Sequence, residues 1–156
     1  MKLMFSDFDL KMMKVALSEA SLAEKNGEVP VGAVISFQNQ LISQSHNSPI
    51  SSIDPTAHAE ISAIRKASKQ QKNYRILGTT LYVTLEPCIM CFGAILNARI
   101  DRLVIAALDK NRGVPVSNRG FLKELDVNHK IKVESGLLDN ESSSMLKNFF
   151  IERRAK

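Results

Sequence analysis

The chain has 156 residues, a formal net charge of +5 and a sequence pI near 9.3. That length suits one domain, residues 1–156, with room for a proper core, and 44% hydrophobic with 24% charged residues is an ordinary globular composition. No apolar run approaches the roughly 20 residues of a membrane span; residues 1–7 carry no signal-peptide core; and 2 cysteines are too few for a disulfide framework. The expectation is a cytoplasmic protein without a membrane partner, whose basic balance permits an RNA partner without requiring one.

Ser6-Asp7-Phe8-Asp9 reads as a capping box with Asp where Glu is usual. Met13, Ala16, Leu17, Ala20 and Ala23 then recur at helical spacing, and Asn26-Gly27 ends that helix. Residues 31–37 form a mostly apolar run, as in a strand covered on both faces, and a turn at 38–40 returns the chain as a hairpin strand over 41–46. A loop over 47–53 leads to Asp54-Pro55, read as an N-cap and first helical residue of a helix reaching about Gln71. Residues 80–85 are β-branched and aromatic, a third strand that delivers Glu86-Pro87-Cys88 at its carboxyl end. Pro87 marks the start of a helix reaching about Ala98, and 102–107 is a fourth strand.

Residues 108–130 suit a crossover with a short helix near 121–125, so 131–135 is expected parallel to the fourth strand. Asp139 opens a last helix with Met145, Leu146, Phe149 and Phe150 on its buried side. Helices interleaved with strands in this order imply an α/β sheet covered on both faces, with ligands beyond the carboxyl ends of strands.

Cys88 falls at such an end. Cys88 and Cys91 are i and i+3, one face of a helix, and two thiolates there hold half of a tetrahedral zinc site. A structural site would need four protein ligands, usually two such cysteine pairs. Three ligands plus water is the catalytic arrangement, with His58 the natural third ligand. Glu60 lies two residues after His58, about 200° around a helix, so both reach one metal only if it lies off the helix N-terminus. Two helix N-termini converging on the metal would favour thiolate, and Glu60 would be free to act as general acid and base. A redox Cys-x-x-Cys is the competing reading, but it leaves His58 and Glu60 unexplained.

His58-Ala59-Glu60 followed by Pro87-Cys88-Ile89-Met90-Cys91 matches the signature of zinc nucleobase deaminases. Glu28-Val29-Pro30-Val31-Gly32-Ala33-Val34, Asn47-Ser48-Pro49, Asp54-Pro55-Thr56-Ala57-His58-Ala59-Glu60, Thr80-Leu81-Tyr82-Val83-Thr84-Leu85-Glu86-Pro87-Cys88 and Phe149-Phe150 resemble the bacterial tRNA-specific adenosine deaminases nearly end to end. That resemblance implies a three-layer α/β/α cytidine-deaminase-like fold with a mixed five-stranded sheet. It implies a homodimer and conversion of the wobble adenosine of a tRNA anticodon to inosine. It also implies one zinc per subunit on His58, Cys88 and Cys91, with Glu60 as proton shuttle. Asn47 and Asp109 resemble substrate-contacting positions; Val31 and Pro87 fall in matched stretches beside the site, and Arg153 and Arg154 near the RNA.

The chain departs from the family pattern at Phe92, where a small residue is usual, at Leu108 and Ile151, where basic residues occur, and over 114–125. Other roles stay open. Asn47 also reads as a loop cap, Asp109 as a turn residue, and the sets Lys110-Arg112-Arg119 and Arg153-Arg154-Lys156 as solvated charge. His46 and His129 read as satisfied histidines. A deaminase of a free base or nucleoside is the alternative enzyme.

Overall fold

Ser6 caps the first helix through the expected box: its Oγ accepts the Asp9 N–H at 3.1 Å, and Asp9 Oδ2 accepts the Ser6 N–H at 2.9 Å. The computed structural model describes residues 4–156; residues 1–3, part of the stretch read for a signal peptide, lie outside the described residues. The elements are α1 (Asp7–Lys25), β1 (Gly32–Phe37), β2 (Gln40–His46), α2 (Ala59–Gln71), β3 (Thr79–Leu85), α3 (Ile89–Asn97), β4 (Arg102–Ala107), a 3₁₀ turn (Arg119–Leu122), β5 (Lys132–Ser135) and α4 (Asp139–Arg154). Among the described residues no helix is long and apolar enough to cross a membrane.

The sheet order is β2-β1-β3-β4-β5. β1 runs antiparallel to both its neighbours, while β3, β4 and β5 are parallel. The start of β1 and the ends of β2, β3 and β4 therefore meet at one end of the sheet. Val31, Asn47, Glu86 and Asp109, far apart in sequence, all emerge there.

Alternation along β1, β3 and β4 supplies two faces. Ala33, Ile35, Leu81, Val83, Leu103 and Ile105 pack with Ala59, Ala63, Phe92 and Ile95 of α2 and α3. Val34, Tyr82, Val104 and Ala106 pack with Met12, Met13 and Ala16 of α1, joined by Leu137 at the entry to α4. This is the expected α/β sheet with helices on both faces. At Gly32 α1 approaches β1 so closely that a Cβ would overlap the Ala16 carbonyl. Leu17 is only partly buried; Met12 takes the core position beside Met13.

Asp9 also ties α1 to the sheet. It accepts from the Tyr82 hydroxyl at 2.7 Å and from two Arg102 nitrogens at 2.7 and 3.0 Å. Burial by itself opposes ionisation, but these bonds outweigh it and hold the Asp9 carboxyl well below the usual range. Arg102 is paired on its other side with Glu134 at 2.6 Å.

Two helix starts differ from expectation. α2 begins at Ala59 with His58 as N-cap, not at Asp54-Pro55. Asp54 Oδ1 instead accepts from the Thr56 N–H and hydroxyl, each at 2.8 Å, which closes a turn before the helix. α3 begins at Ile89 with Cys88 as N-cap, so Pro87 precedes the cap and is not the first helical residue. In α4 only Phe149 of the four expected apolar residues is buried; Phe150 is 44% exposed because neighbouring helical residues point about 100° apart.

Candidate active site

His58 and Cys88 stand at the N-caps of α2 and α3, and neither side chain makes a capping hydrogen bond. Both are therefore free to point at a common place. Cys88 Sγ lies 3.7 Å, and Cys91 Sγ 3.5 Å, from His58 Nδ1. With zinc–sulfur bonds of about 2.3 Å and zinc–nitrogen bonds of about 2.0–2.1 Å, a nitrogen–sulfur edge of the tetrahedron is about 3.6 Å. The three donors are already spaced as corners of such a site. They are the only group of this kind among the described residues.

The donor chemistry also fits. The hydrogen bond from Cys91 holds the Cys88 thiol far below its usual range, and the same bond, reinforced by burial, pushes Cys91 up. His58 is raised, chiefly by its hydrogen bond with Cys88. Two cysteine sulfurs beside an imidazole form a donor set that a divalent cation completes by displacing the thiol protons.

Glu60 sits in the first turn of α2, 4% exposed, with Oε2 at 3.0 Å from Cys91 Sγ. Burial pushes its carboxyl up. It reaches the donor cluster while leaving the three-donor set complete, which is the position of a proton carrier rather than a fourth ligand.

A cavity of about 580 Å³ opens above these residues. Its walls come from the end of the sheet where the strands converge: Val29 and Val31 before β1, Asn47 after β2, Leu85 and Glu86 at the end of β3, Asp109, Asn111 and Arg112 after β4, with Phe150 of α4 at the side. Val31, Asn47 and Asp109 were expected here. Asp109 is a turn residue as well, because its Oδ1 accepts the Asn111 and Arg112 N–H groups, each at 3.0 Å.

Pro87, Arg153 and Arg154, the other expected substrate- or RNA-facing residues, stand outside the wall. The Pro87 carbonyl accepts the Val114 N–H at 3.1 Å. Arg153 donates to the Gly27 carbonyl at 2.9 Å and lies over the Phe149 ring, and Arg154 donates to the Phe150 carbonyl at 3.3 Å. Arg112 and Phe150 occupy the wall instead. His46 is satisfied by Glu19 at 2.7 Å and His129 by the Ile100 carbonyl at 2.7 Å, as their type predicts.

Glu28 and Glu86, both buried, have no role assigned from the sequence. Glu28 accepts from the Ile50 and Ser51 N–H groups and the Ser51 hydroxyl, at 3.1, 2.9 and 2.9 Å, and so holds the loop that follows Asn47. Glu86 does the same for the loop that follows Asp109. The only hint in the sequence is a charge at the edge of an apolar run, where burial demands partners.

Residues 6–107 match the cytidine and deoxycytidylate deaminase zinc-binding region. Over 154 residues, 97% of this chain and 99% of the relative, the chain is 47% identical to the tRNA-specific adenosine deaminase of Buchnera aphidicola subsp. Schizaphis graminum. The chain belongs to the tRNA-specific adenosine deaminase family. The Haemophilus influenzae tRNA-specific adenosine deaminase is 49% identical over 150 residues, 96% of this chain and 87% of that one. A solved structure from studies of A-to-I editing by tRNA:A34 deaminases superposes with a TM-score of 0.84 at 42% identity, covering 87% of this chain and 99% of that one. The guanine deaminase of Nitrosomonas europaea shares the fold, with a TM-score of 0.75 at 22% identity over 95% and 86% of the two chains. As a tRNA-specific adenosine deaminase family member the chain has the zinc-binding deaminase region intact, since the match contains both His58-Ala59-Glu60 and Cys88-Ile89-Met90-Cys91. Phe92, unusual for that family by the sequence pattern, points into the core with 4% exposure, away from the cavity wall.

Proposed function

We propose that this chain converts the wobble adenosine of a tRNA anticodon to inosine, with His58, Cys88 and Cys91 holding one zinc ion and Glu60 moving the protons. The observation that carries the reading is a buried carboxyl, Glu60, against a His-Cys-Cys donor set at the base of an open cavity. Adenosine and water become inosine and ammonia. Zinc, when bound, acidifies a water to a pKa of about 7 and so supplies the nucleophile at neutral pH. Glu60 would hold and move the protons of the reaction, from the attacking water to the ring nitrogen beside C6 and then to the departing amino group. Its burial suits a group that must hold a proton part of the time.

The cavity wall binds and orients. The Asn47 side-chain amide, 8% exposed as a residue, offers both a donor and an acceptor to the base or ribose. Val31 supplies an apolar surface. Arg112 and Phe150 offer a phosphate partner and a stacking surface to a splayed single-stranded loop. Arg153 and Arg154, exposed at the end of α4, add phosphate contacts farther out. An anticodon loop already exposes its bases, so little unstacking is needed. Ile89, 54% exposed beside Cys88, and Leu108, 43% exposed beside Asp109, support a homodimer whose interface borders the site. The enzyme would act in the cytoplasm.

The test compares an anticodon stem-loop containing a wobble adenosine with free adenosine, cytidine and guanine. Inosine in the stem-loop, with little change in the free compounds, is expected. Efficient turnover of a free base with the stem-loop untouched would overturn the tRNA assignment. Light scattering giving the mass of a 17.3 kDa monomer at micromolar concentration would refute the dimer.

A further inference from the structure

We infer that Glu86 is a positioning residue that staples the 109–117 loop into the cavity wall and fixes it relative to Cys88. Glu86 is 3% exposed, and no ion pair forms to it among the described residues. An unpaired buried carboxylate is tolerated only where its lone pairs are filled. Here Oε1 accepts the Val116 and Ser117 N–H groups at 2.8 and 2.7 Å. Oε2 accepts the Asp109 N–H at 3.0 Å and the Ser117 hydroxyl at 2.6 Å. These four donors use about the whole accepting capacity of a carboxylate, and all of them belong to one loop. The first donor opens the loop and the others close it, so one side chain sets both ends.

The loop carries Asp109, Asn111 and Arg112 into the cavity wall. Its internal shape comes from its own side chains: Asp109 Oδ1 caps the turn at 3.0 Å, and Asn118 Nδ2 donates to the Gly113 carbonyl at 2.6 Å. Its position comes from Glu86 at both ends, with the Val114 N–H bonded to the Pro87 carbonyl at 3.1 Å between them. Gly113 is where the loop presses against that carboxylate; a Cβ there would overlap Glu86 and approach the Asp109 carbonyl to 2.6 Å. Glu86 also donates its own N–H to the Ala107 carbonyl at 2.8 Å, and two residues later the chain reaches Cys88. The substrate-facing loop is thereby held in register with the metal-facing cysteine.

The inference rests on the proposed function only in the choice of substrate assayed. Glu86→Gln keeps the shape but replaces one accepting oxygen with an NH₂ group that faces donors. Zinc content is expected to stay at the wild-type value. Amide exchange should accelerate over 109–117 and not in the sheet. The KM for the anticodon stem-loop should rise about 10- to 100-fold, with a smaller fall in kcat, because the binding-competent loop is less populated. Asp9→Asn, which weakens the attachment of α1 to β3 and β4 away from the cavity, is the control and should move neither loop exchange nor KM. A folded Glu86→Gln protein in which either loop exchange or KM is unchanged overturns the proposal, as does an equal KM rise in Asp9→Asn. If Glu86→Gln does not fold, Ser117→Ala decides: it removes one bond, and it must accelerate exchange over 109–117 and raise KM, or the proposal falls. If the wild-type enzyme leaves the stem-loop untouched, the functional reading has failed separately, and loop exchange alone judges Glu86.

Discussion

Replacing Asp9 by Asn should destabilise the protein by about 3 kcal/mol. The carboxylate is 6% exposed at its side chain and receives four donors: two Arg102 nitrogens, the Tyr82 hydroxyl and the Ser6 N–H. Removing one partner of a buried ion pair costs about 3–5 kcal/mol. Arg102 keeps Glu134 at 2.6 Å and is 23% exposed, which places its share near about 2 kcal/mol. Loss of the reciprocal capping bond adds about 1 kcal/mol. With a urea m-value of about 2 kcal/mol/M, the midpoint should fall by about 1.5 M. The pH dependence has a definite sign. The folded-state pKa of Asp9 is depressed, so its contribution is complete above the unfolded value of about 3.9 and is lost as pH falls through the folded value. Wild type and Asp9→Asn should differ by a constant amount between about pH 5 and 8, and the gap should narrow in stronger acid. Urea midpoints within about 0.3 M of each other at neutral pH, or a gap that widens on acidification, would refute the reasoning.

Glu60→Ala should keep its zinc and its fold while turnover of the stem-loop falls by about 10²–10⁴-fold, the usual scale of general acid–base work; near-normal turnover would remove Glu60 from the mechanism. Cys91→Ala should lose zinc, measured by elemental analysis, because a pair of donors cannot close a tetrahedral site. Chelation of the wild-type protein from a zinc level about 1,000 times its Kd should remove about 4 kcal/mol of stability, a thermal shift of about 10 °C; an unchanged melting temperature would mean that the metal does not bind the folded site.

The elements legible in the sequence were those whose signals are local. The Ser6–Asp9 box, the Asn26-Gly27 stop, the bounds of β4 and the start of α4 at Asp139 all agree with the structure, because each depends on bonds within a few residues. The crossover to a parallel β5 followed from the length of the connection. The pairing of His58 with Cys88 and Cys91 was legible because few chemistries use that order, and the donors do meet.

Asp54-Pro55 shows the limit of a local signal. An aspartate seeks an N–H two or three residues ahead, and a helix start or a tight turn satisfies it equally; here Thr56 supplied the donors. The helix begins at Ala59 because the cap position is what lets His58 face Cys88, a constraint set by another part of the chain. Phe149 and Phe150 are alike in sequence, yet one fills the core and the other borders the cavity, since the sheet can cover only one side of α4. Arg112 reached the cavity wall because the end of β4 opens there, while the Arg153 guanidinium, at the end of α4, is held by the Gly27 carbonyl. Composition and motif determined the metal chemistry of this protein. Tertiary structure alone decided which loops surround it, because the carboxylates that hold those loops, Glu28 and Glu86, bind backbone groups more than twenty residues away, and a backbone N–H is the same in every sequence.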